Sequence, residues 1–144
     1  MAKPRKIILA EHNEGDASLT QHAFKKLNLP VEVVRVHHGQ ELLQLLHSES
    51  LDNIALIMME LDLPQVSGLD ILKRFYLDEE LRKLPTMIFT NSTNEADVLA
   101  CYEHGVNAYV PKPVDAMKFE EAVSAIANFW ADINVLPSYN SHPV

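Results

Sequence analysis

The prediction of the fold starts from one stretch, Leu56-Ile57-Met58-Met59-Glu60-Leu61-Asp62-Leu63-Pro64. An apolar run leads into two carboxylates separated by one leucine, and a proline follows. A short apolar run bounded by a turn signal predicts a strand that is buried on both faces, as in a parallel sheet. Since ligands bind beyond the carboxyl ends of the strands in open parallel sheets, Glu60 and Asp62 lie at the mouth of a predicted site.

Strand-like and helix-like patterns alternate along the rest of the chain. The other predicted strands are Lys6 to Ala10, Val31 to Val36, Pro85 to Thr90 and Ala108 to Val110, and the last helix runs from Met117 to Ile133 with Asp115 as its cap. Strict alternation predicts an α/β fold with five βα units, a parallel sheet and helices on both faces. We expect one domain over residues 1–137 and a flexible tail over 138–144.

Composition excludes several classes of function. The 144 residues are 47% hydrophobic and 22% charged, an ordinary globular mixture, and the net charge of -8 argues against a nucleic-acid partner. The single cysteine, Cys101, fits a reducing cytosolic compartment, and no apolar run is long enough to cross a membrane. With only four glycines and no glycine-rich phosphate loop, NAD and ATP are excluded as ligands.

Polar side chains follow four of the five predicted strands. They are Glu11 and His12 after the first strand, Glu60 and Asp62 after the third, Thr90 at the end of the fourth and Lys112 after the fifth. Any one of them alone is more often a solvated loop residue. Because the carboxyl ends of parallel strands meet at one edge, these residues together predict a functional site.

The segments that carry these residues resemble the receiver domains of two-component response regulators, from about Lys6 to Ile133. They are Leu9-Ala10-Glu11-His12-Asn13, Met59-Glu60-Leu61-Asp62-Leu63-Pro64, Phe89-Thr90-Asn91-Ser92 and Tyr109-Val110-Pro111-Lys112-Pro113. The resemblance implies a flavodoxin-like, doubly wound (βα)5 fold with strand order 2-1-3-4-5. It also implies a signalling protein rather than an enzyme.

The same resemblance assigns roles to individual positions. Glu60 stands at the phosphoacceptor position, and Glu11, His12 and Asp62 stand in the acidic pocket that holds the metal in receivers. The switch and phosphate-contact positions are Thr90, Tyr109 and Lys112, and the Lys112–Pro113 bond is expected to be cis, with Pro113 in the family's cis-peptide position.

A narrower resemblance is to the stand-alone regulators associated with cyanobacterial phytochromes. It is carried by Asn13-Glu14-Gly15-Asp16, by Pro111-Lys112-Pro113-Val114-Asp115 and by Asn128-Phe129-Trp130 with Leu136-Pro137. It implies a cytoplasmic protein with a phytochrome-type sensor histidine kinase as its partner, and a homodimer formed by the fourth helix, fifth strand and fifth helix. The last helix is apolar beyond one core-facing stripe, so we assign to the dimer face Phe119, Val123, Phe129, Trp130 and Ile133. The alternative is a tail that folds back on its own monomer.

Two departures from the receiver pattern concern its chemistry. Glu60 and His12 stand where receivers have aspartates. An imidazole removes an oxygen ligand that Mg²⁺ prefers, and the extra methylene of glutamate displaces the nucleophile by about 1 Å. Phosphoryl transfer depends on positioning and on charge neutralisation by the metal. We therefore expect a degenerate receiver with an impaired Mg²⁺ site, no other cofactor and no normal phosphorylation.

Several alternatives stay open at this point. One is a phosphate-accepting regulator that uses Glu60 or Asp62, and another is a small enzyme in which Glu60 and His12 act as acid and base. His12 with Glu11 and Glu60 could instead hold a transition metal. Finally, the longer Glu60 side chain could act as a permanent, weaker mimic of phosphoaspartate, because its carboxylate could reach toward Thr90 and Lys112.

Overall fold

The computed structural model describes residues 4–137, so the tail predicted over 138–144 lies outside the described residues. Strands and helices alternate in the order β1 Arg5–Ala10, α1 Glu14–Leu27, β2 Val31–Val36, α2 Gly39–Ser48, β3 Ile54–Met59, α3 Gly68–Tyr76, β4 Thr86–Thr90, α4 Glu95–Glu103, β5 Ala108–Pro111 and α5 Ala116–Asn128. A 3-10 turn at Leu81–Lys83 precedes β4, and a π-helical turn at Phe129–Ile133 continues α5. All neighbouring strands pair in parallel, in the order β2-β1-β3-β4-β5, which confirms the predicted topology.

The central strand β3 is buried along its whole length. Its side chains alternate between two cores, with Leu56 and Met58 on the side of α1 and α5, and Ile57 and Met59 on the side of α2, α3 and α4. Period-two alternation explains why a continuous apolar run is needed here, because both faces are covered by helices. The prediction from the opening stretch is confirmed, and it places Glu60 directly after the buried strand.

Polar side chains cap the helices at the edge of the sheet where the strands end. Asn13, Ser67, Asn94 and Asp115 each accept a hydrogen bond from a backbone N–H in the first turn of the following helix. Each cap of this kind contributes about 1 kcal/mol, since it satisfies an otherwise unpaired donor. The caps thus fix where α1, α3, α4 and α5 begin relative to the site.

The predicted dimer face is wrong for two of its residues. Phe119 and Val123 are 3% and 0% exposed, in the core between α5 and the sheet, and the Phe119 ring meets Phe89 edge-on at 5.2 Å. They belong to the stripe of α5 that must cover the sheet. Phe129 and Ile133 remain exposed, while Trp130 is half-buried against the core on the α1 and α5 side.

The Lys112–Pro113 peptide bond is trans, so the predicted cis bond is wrong. The trans form is favoured by about 0.5–1 kcal/mol for bonds that precede proline.

Within residues 4–137, no helix combines the length and the apolar character needed to span a bilayer.

Candidate functional site

A buried lysine lies at the centre of the carboxyl edge of the sheet. The Nζ atom of Lys112 is 2.6 Å from Glu11 Oε1, 2.8 Å from Asp16 Oδ2 and 2.7 Å from Glu60 Oε1. The side chains of Lys112, Glu11 and Glu60 are 3%, 5% and 8% exposed, so these contacts are shielded from water. Four elements converge here, namely the ends of β1, β3 and β5 and the first turn of α1.

Glu60 is held by its backbone and by both carboxylate oxygens. Its N–H donates to the carbonyl of Ala10 on the neighbouring strand at 2.9 Å. Glu60 Oε2 accepts from the backbone N–H of Asp62 at 3.1 Å, while Oε1 faces Lys112. The following loop packs tightly, because a Cβ at Gly68 would stand 2.7 Å from the Glu60 carbonyl oxygen. A glycine at this position therefore lets the loop close against the backbone of Glu60.

The loop between β1 and α1 is fixed by Glu11 and by a residue of β2. Glu11 Oε2 accepts from the N–H of Asn13 at 3.1 Å. Arg35 donates to the carbonyl of Glu11 from Nε at 3.1 Å and from Nη2 at 2.9 Å, and Nη2 also reaches the carbonyl of His12 at 3.3 Å. Arg35 is not among the predicted site residues, because its side chain binds backbone carbonyls that no sequence pattern marks.

Two of the predicted site residues do not join the cluster. The side chains of His12 and Asp62 are exposed. Successive residues of an extended segment point to opposite sides, so His12 faces away when Glu11 faces Lys112. Asp62 enters the site through its backbone N–H. Asp16 takes the third carboxylate position instead, and its place in the first turn of α1, behind the Asn13 cap, is the signal that could have found it.

Thr90 and Tyr109, to which the resemblance assigns the switch role, lie beside the cluster. Thr90 is 3% exposed, and its carbonyl accepts from the N–H of Lys112 at 2.7 Å. The Tyr109 ring packs against the core on the α2, α3 and α4 side, and its hydroxyl donates to the carbonyl of Ser92 at 2.9 Å. The aromatic ring is therefore turned inward and tied to the loop between β4 and α4.

The electrostatics of the cluster are unbalanced, since one ammonium faces three carboxylates. Burial disfavours the charge of Lys112, but the hydrogen bonds that its ammonium donates to Asp16, Glu11 and Glu60 outweigh burial and hold the pKa of Lys112 above its usual range. Burial raises the pKa of Glu11, against the bonds from Lys112 and from the Asn13 N–H, and the charge of Glu60 raises it further. The cluster keeps Lys112 charged and makes Glu11 harder to ionise.

The magnesium site that the resemblance implies does not fit these side chains as they stand. Lys112 Nζ lies between the carboxylates that would have to hold the ion, and the His12 imidazole faces solvent. Over the described part of the chain, no three His, Cys, Asp or Glu side chains are placed to hold a metal ion, and this covers the set of Glu11, His12 and Glu60.

Comparison with known proteins points to one family. The sequence profile of the response regulator receiver domain matches residues 7–124. Response regulator Rcp1 of Synechocystis sp. is 29% identical over 139 residues, which cover 94% of this chain and 95% of that protein. The structure of the phosphorylated cyanobacterial phytochrome response regulator RcpA gives a TM-score of 0.87 at 32% identity, over 94% of this chain and 99% of that one. The bacteriophytochrome response regulator AtBRR gives 0.71 at 35% identity, over 93% of this chain and 100% of that one.

Proposed function

This chain belongs to the response regulator receiver family, whose members are signalling proteins rather than enzymes. We propose that it is a degenerate receiver in phytochrome-type signalling. It pairs with a sensor histidine kinase in the cytoplasm and does not accept phosphate by the normal reaction. The observation that carries the proposal is the state of Glu60, whose two oxygens are engaged by Lys112 Nζ and by the Asp62 N–H.

Phosphoryl transfer needs a free carboxylate oxygen in line with the incoming phosphorus and a divalent cation beside it. Both oxygens of Glu60 are already hydrogen-bonded, Oε1 to a buried ammonium and Oε2 to a backbone N–H, so attack on phosphorus has to weaken one of these bonds. The His12 side chain is exposed, so it does not replace the missing carboxylate of the pocket. The exposed His12 and the engaged Glu60 also disfavour an acid–base pair between these two side chains.

The direct test is incubation with acetyl phosphate and Mg²⁺, followed by intact-protein mass spectrometry. We expect no added phosphoryl group on the wild-type chain. The double variant H12D/E60D restores the aspartates of the receiver pattern and is expected to gain one acyl phosphate. A stable phosphoryl group on wild-type Glu60 contradicts the proposal. The variant D62N identifies Asp62 as the acceptor if it alone abolishes labelling.

Glu60 also has a positive role in the proposal, as a permanent and weaker mimic of a phosphorylated aspartate. The support is its 2.7 Å contact with Lys112 together with the inward Tyr109 ring. The negative charge is the property that matters, so E60Q is expected to weaken binding to the partner kinase while E60D, which shortens the side chain, has a smaller effect. Equal affinity of wild type and E60Q in a titration against a purified phytochrome-type histidine kinase contradicts the mimicry.

We propose in addition that two copies associate through the face of α4, β5 and α5. The support is the exposure of apolar side chains on these elements and the turn that follows them, with Leu99 at 60%, Phe129 at 45% and Ile133 at 67%. Apolar patches of this kind mark interaction surfaces. Sedimentation velocity at micromolar concentration is expected to give a dimer that L99E or F129S dissociates. The control L77E changes a leucine after α3 that is even more exposed, at 85%, and a purely monomeric wild type contradicts the dimer.

A further inference from the structure

The three carboxylates at the edge of the sheet share a single cation, and that cation belongs to the chain. Lys112 Nζ lies within hydrogen-bond distance of Glu11, Asp16 and Glu60, at 2.6, 2.8 and 2.7 Å. An ammonium has three N–H donors, so each carboxylate can receive one of them. The hydrogen-bonding capacity of Lys112 is therefore filled by these residues alone.

The geometry matches an ammonium and not a hard metal ion. The three N···O distances are those of charge-assisted hydrogen bonds, whereas Mg²⁺ requires oxygens at about 2.0–2.1 Å in near-octahedral order. Lys112 directly follows β5, and its own backbone N–H donates to the carbonyl of Thr90 at 2.7 Å. The backbone therefore holds the lysine at the site. A divalent ion could reach Glu11 and Glu60 only by displacing this buried ammonium or by standing beside it at a repulsive distance.

We infer that the ammonium of Lys112 is the resident cation of this site and that it takes the place of a divalent metal ion. The inference deepens the proposed function, since it gives the reason why metal-dependent phosphoryl transfer is lost. The site is then stabilised by an internal ion pair, and it does not respond to the concentration of divalent cations.

If Lys112 is the resident cation, its removal improves metal binding, whereas a simple loss of metal ligands predicts no change. The nearest oxygens of Glu11, Asp16 and Glu60 surround one point at ammonium distances of 2.6, 2.8 and 2.7 Å, which are too long for metal–oxygen bonds. Removal of the ammonium leaves three carboxylates that have to move inward to bind an ion. Carboxylate oxygens are the ligands that Mg²⁺, Mn²⁺ and Ca²⁺ take up. Methionine keeps an unbranched stem of similar length and carries no charge, so K112M is the variant that vacates the centre.

The experiment is a titration with Mn²⁺, followed by electron paramagnetic resonance and by calorimetry. We expect no 1:1 binding to the wild type up to about 1 mM, the range of weak protein sites. K112M is expected to bind one Mn²⁺ at least about tenfold more tightly, because a full positive charge has left the centre. Mg²⁺ should compete. The control K118M changes an exposed lysine of α5 and should behave like the wild type.

Two further measurements keep the test decisive if K112M is unstable. The variant K112M/E11Q carries one carboxylate fewer, so it suffers less repulsion and should still bind Mn²⁺ more tightly than the wild type. Independently, Mn²⁺ should not broaden the amide signals of Glu60 and Asp62 in the NMR spectrum of the wild-type protein. Broadening at these amides, or Mn²⁺ binding by both lysine variants that is no tighter than binding by the wild type, overturns the inference.

The two proposals fail in different ways. A wild-type chain that binds Mn²⁺ in a 1:1 ratio but takes no phosphoryl group overturns the resident-cation inference and leaves the proposed function standing. A wild-type chain that is phosphorylated by acetyl phosphate overturns the proposed function, whatever its affinity for Mn²⁺.

Discussion

The hydroxyl of Tyr109 donates to the main-chain carbonyl of Ser92 at 2.9 Å, and this bond joins β5 to the loop between β4 and α4. Burial raises the pKa of Tyr109, so the phenol remains a donor at neutral pH. Ser92 is itself held, because its hydroxyl donates to Asp97 Oδ2 at 2.8 Å in the first turn of α4. The inward ring and the start of α4 therefore form one connected unit.

Tyr109→Phe is expected to cost about 1 kcal/mol of unfolding free energy, because it leaves the Ser92 carbonyl without this donor while the ring stays packed. Hydrogen exchange should become faster in residues 91–94. The matched control is Tyr102→Phe, which removes a hydroxyl from an exposed ring on α4. Equal exchange rates in the two variants contradict the role of the Tyr109 bond.

Arg35 is expected to be costly to replace, because its side chain is only 12% exposed although it lies on the edge strand β2. Its guanidinium donates to the carbonyls of Glu11 and His12 and pairs with Glu14 at 2.9 Å, so a substitution frees the loop that presents Glu11 to Lys112. We expect Arg35→Ala to lower the unfolding free energy by about 2 kcal/mol, the range for hydrogen bonds made by charged groups. Urea unfolding of the variant and of the wild type measures this difference in unfolding free energy.

Arg74→Ala is the control for Arg35, since Arg74 is an exposed arginine on α3. Surface substitutions of this type usually stay within about 0.5 kcal/mol. A loss for Arg35→Ala that is no larger than the loss for Arg74→Ala shows that the carbonyl contacts do not stabilise the loop.

The strands could be predicted from the sequence because a strand that is buried on both faces needs a continuous run of apolar residues. The apolar run from Leu56 to Met59 can be assigned to a buried strand without knowing where the rest of the chain lies. The site could be predicted only in part, because contacts such as Asp16 with Lys112 join residues 96 positions apart. Whether the side chain of Asp16 reaches Lys112 depends on how α1 packs on the sheet. In the same way, the packing of α5 decides which of its apolar residues face the core and which face solvent, so the sequence alone could not separate them.

Cys101 is expected to be unreactive in the folded protein. It is fully buried, and burial together with the charge of Asp97 raises the pKa of its thiol to about 11. Because the thiolate is the reactive form, its fraction at neutral pH falls about 100-fold relative to a thiol with the ordinary pKa near 9. Ellman's reagent should label Cys101 at least that much more slowly in buffer than in concentrated guanidinium chloride. The variant Ser18→Cys, on the exposed side of α1, should label quickly, and rapid labelling of the wild type contradicts the prediction.

The raised pKa of Glu11 predicts how stability changes with pH. The folded protein holds a proton on Glu11 above the ordinary pKa of 4.5, where the unfolded chain has lost it. The stability contributed by this group is therefore full below pH 4.5 and is lost as the pH rises through the folded value. Lys112 does not interfere, because its raised pKa keeps its contribution intact up to its ordinary value of 10.5.

Glu11→Gln removes the titration but keeps a side-chain oxygen that can accept from Lys112. We expect the unfolding free energy of the wild type, relative to this variant, to fall as the pH rises above 4.5. Glu120→Gln is the control with the opposite sign, because the hydrogen bond from Lys26 lowers the pKa of Glu120 and its contribution is lost only as the pH falls below 4.5. Urea unfolding across this range should therefore give a flat difference for Glu120→Gln. A flat or rising difference for Glu11→Gln means that the three carboxylates around Lys112 are all ionised throughout, and that the ammonium alone offsets their repulsion.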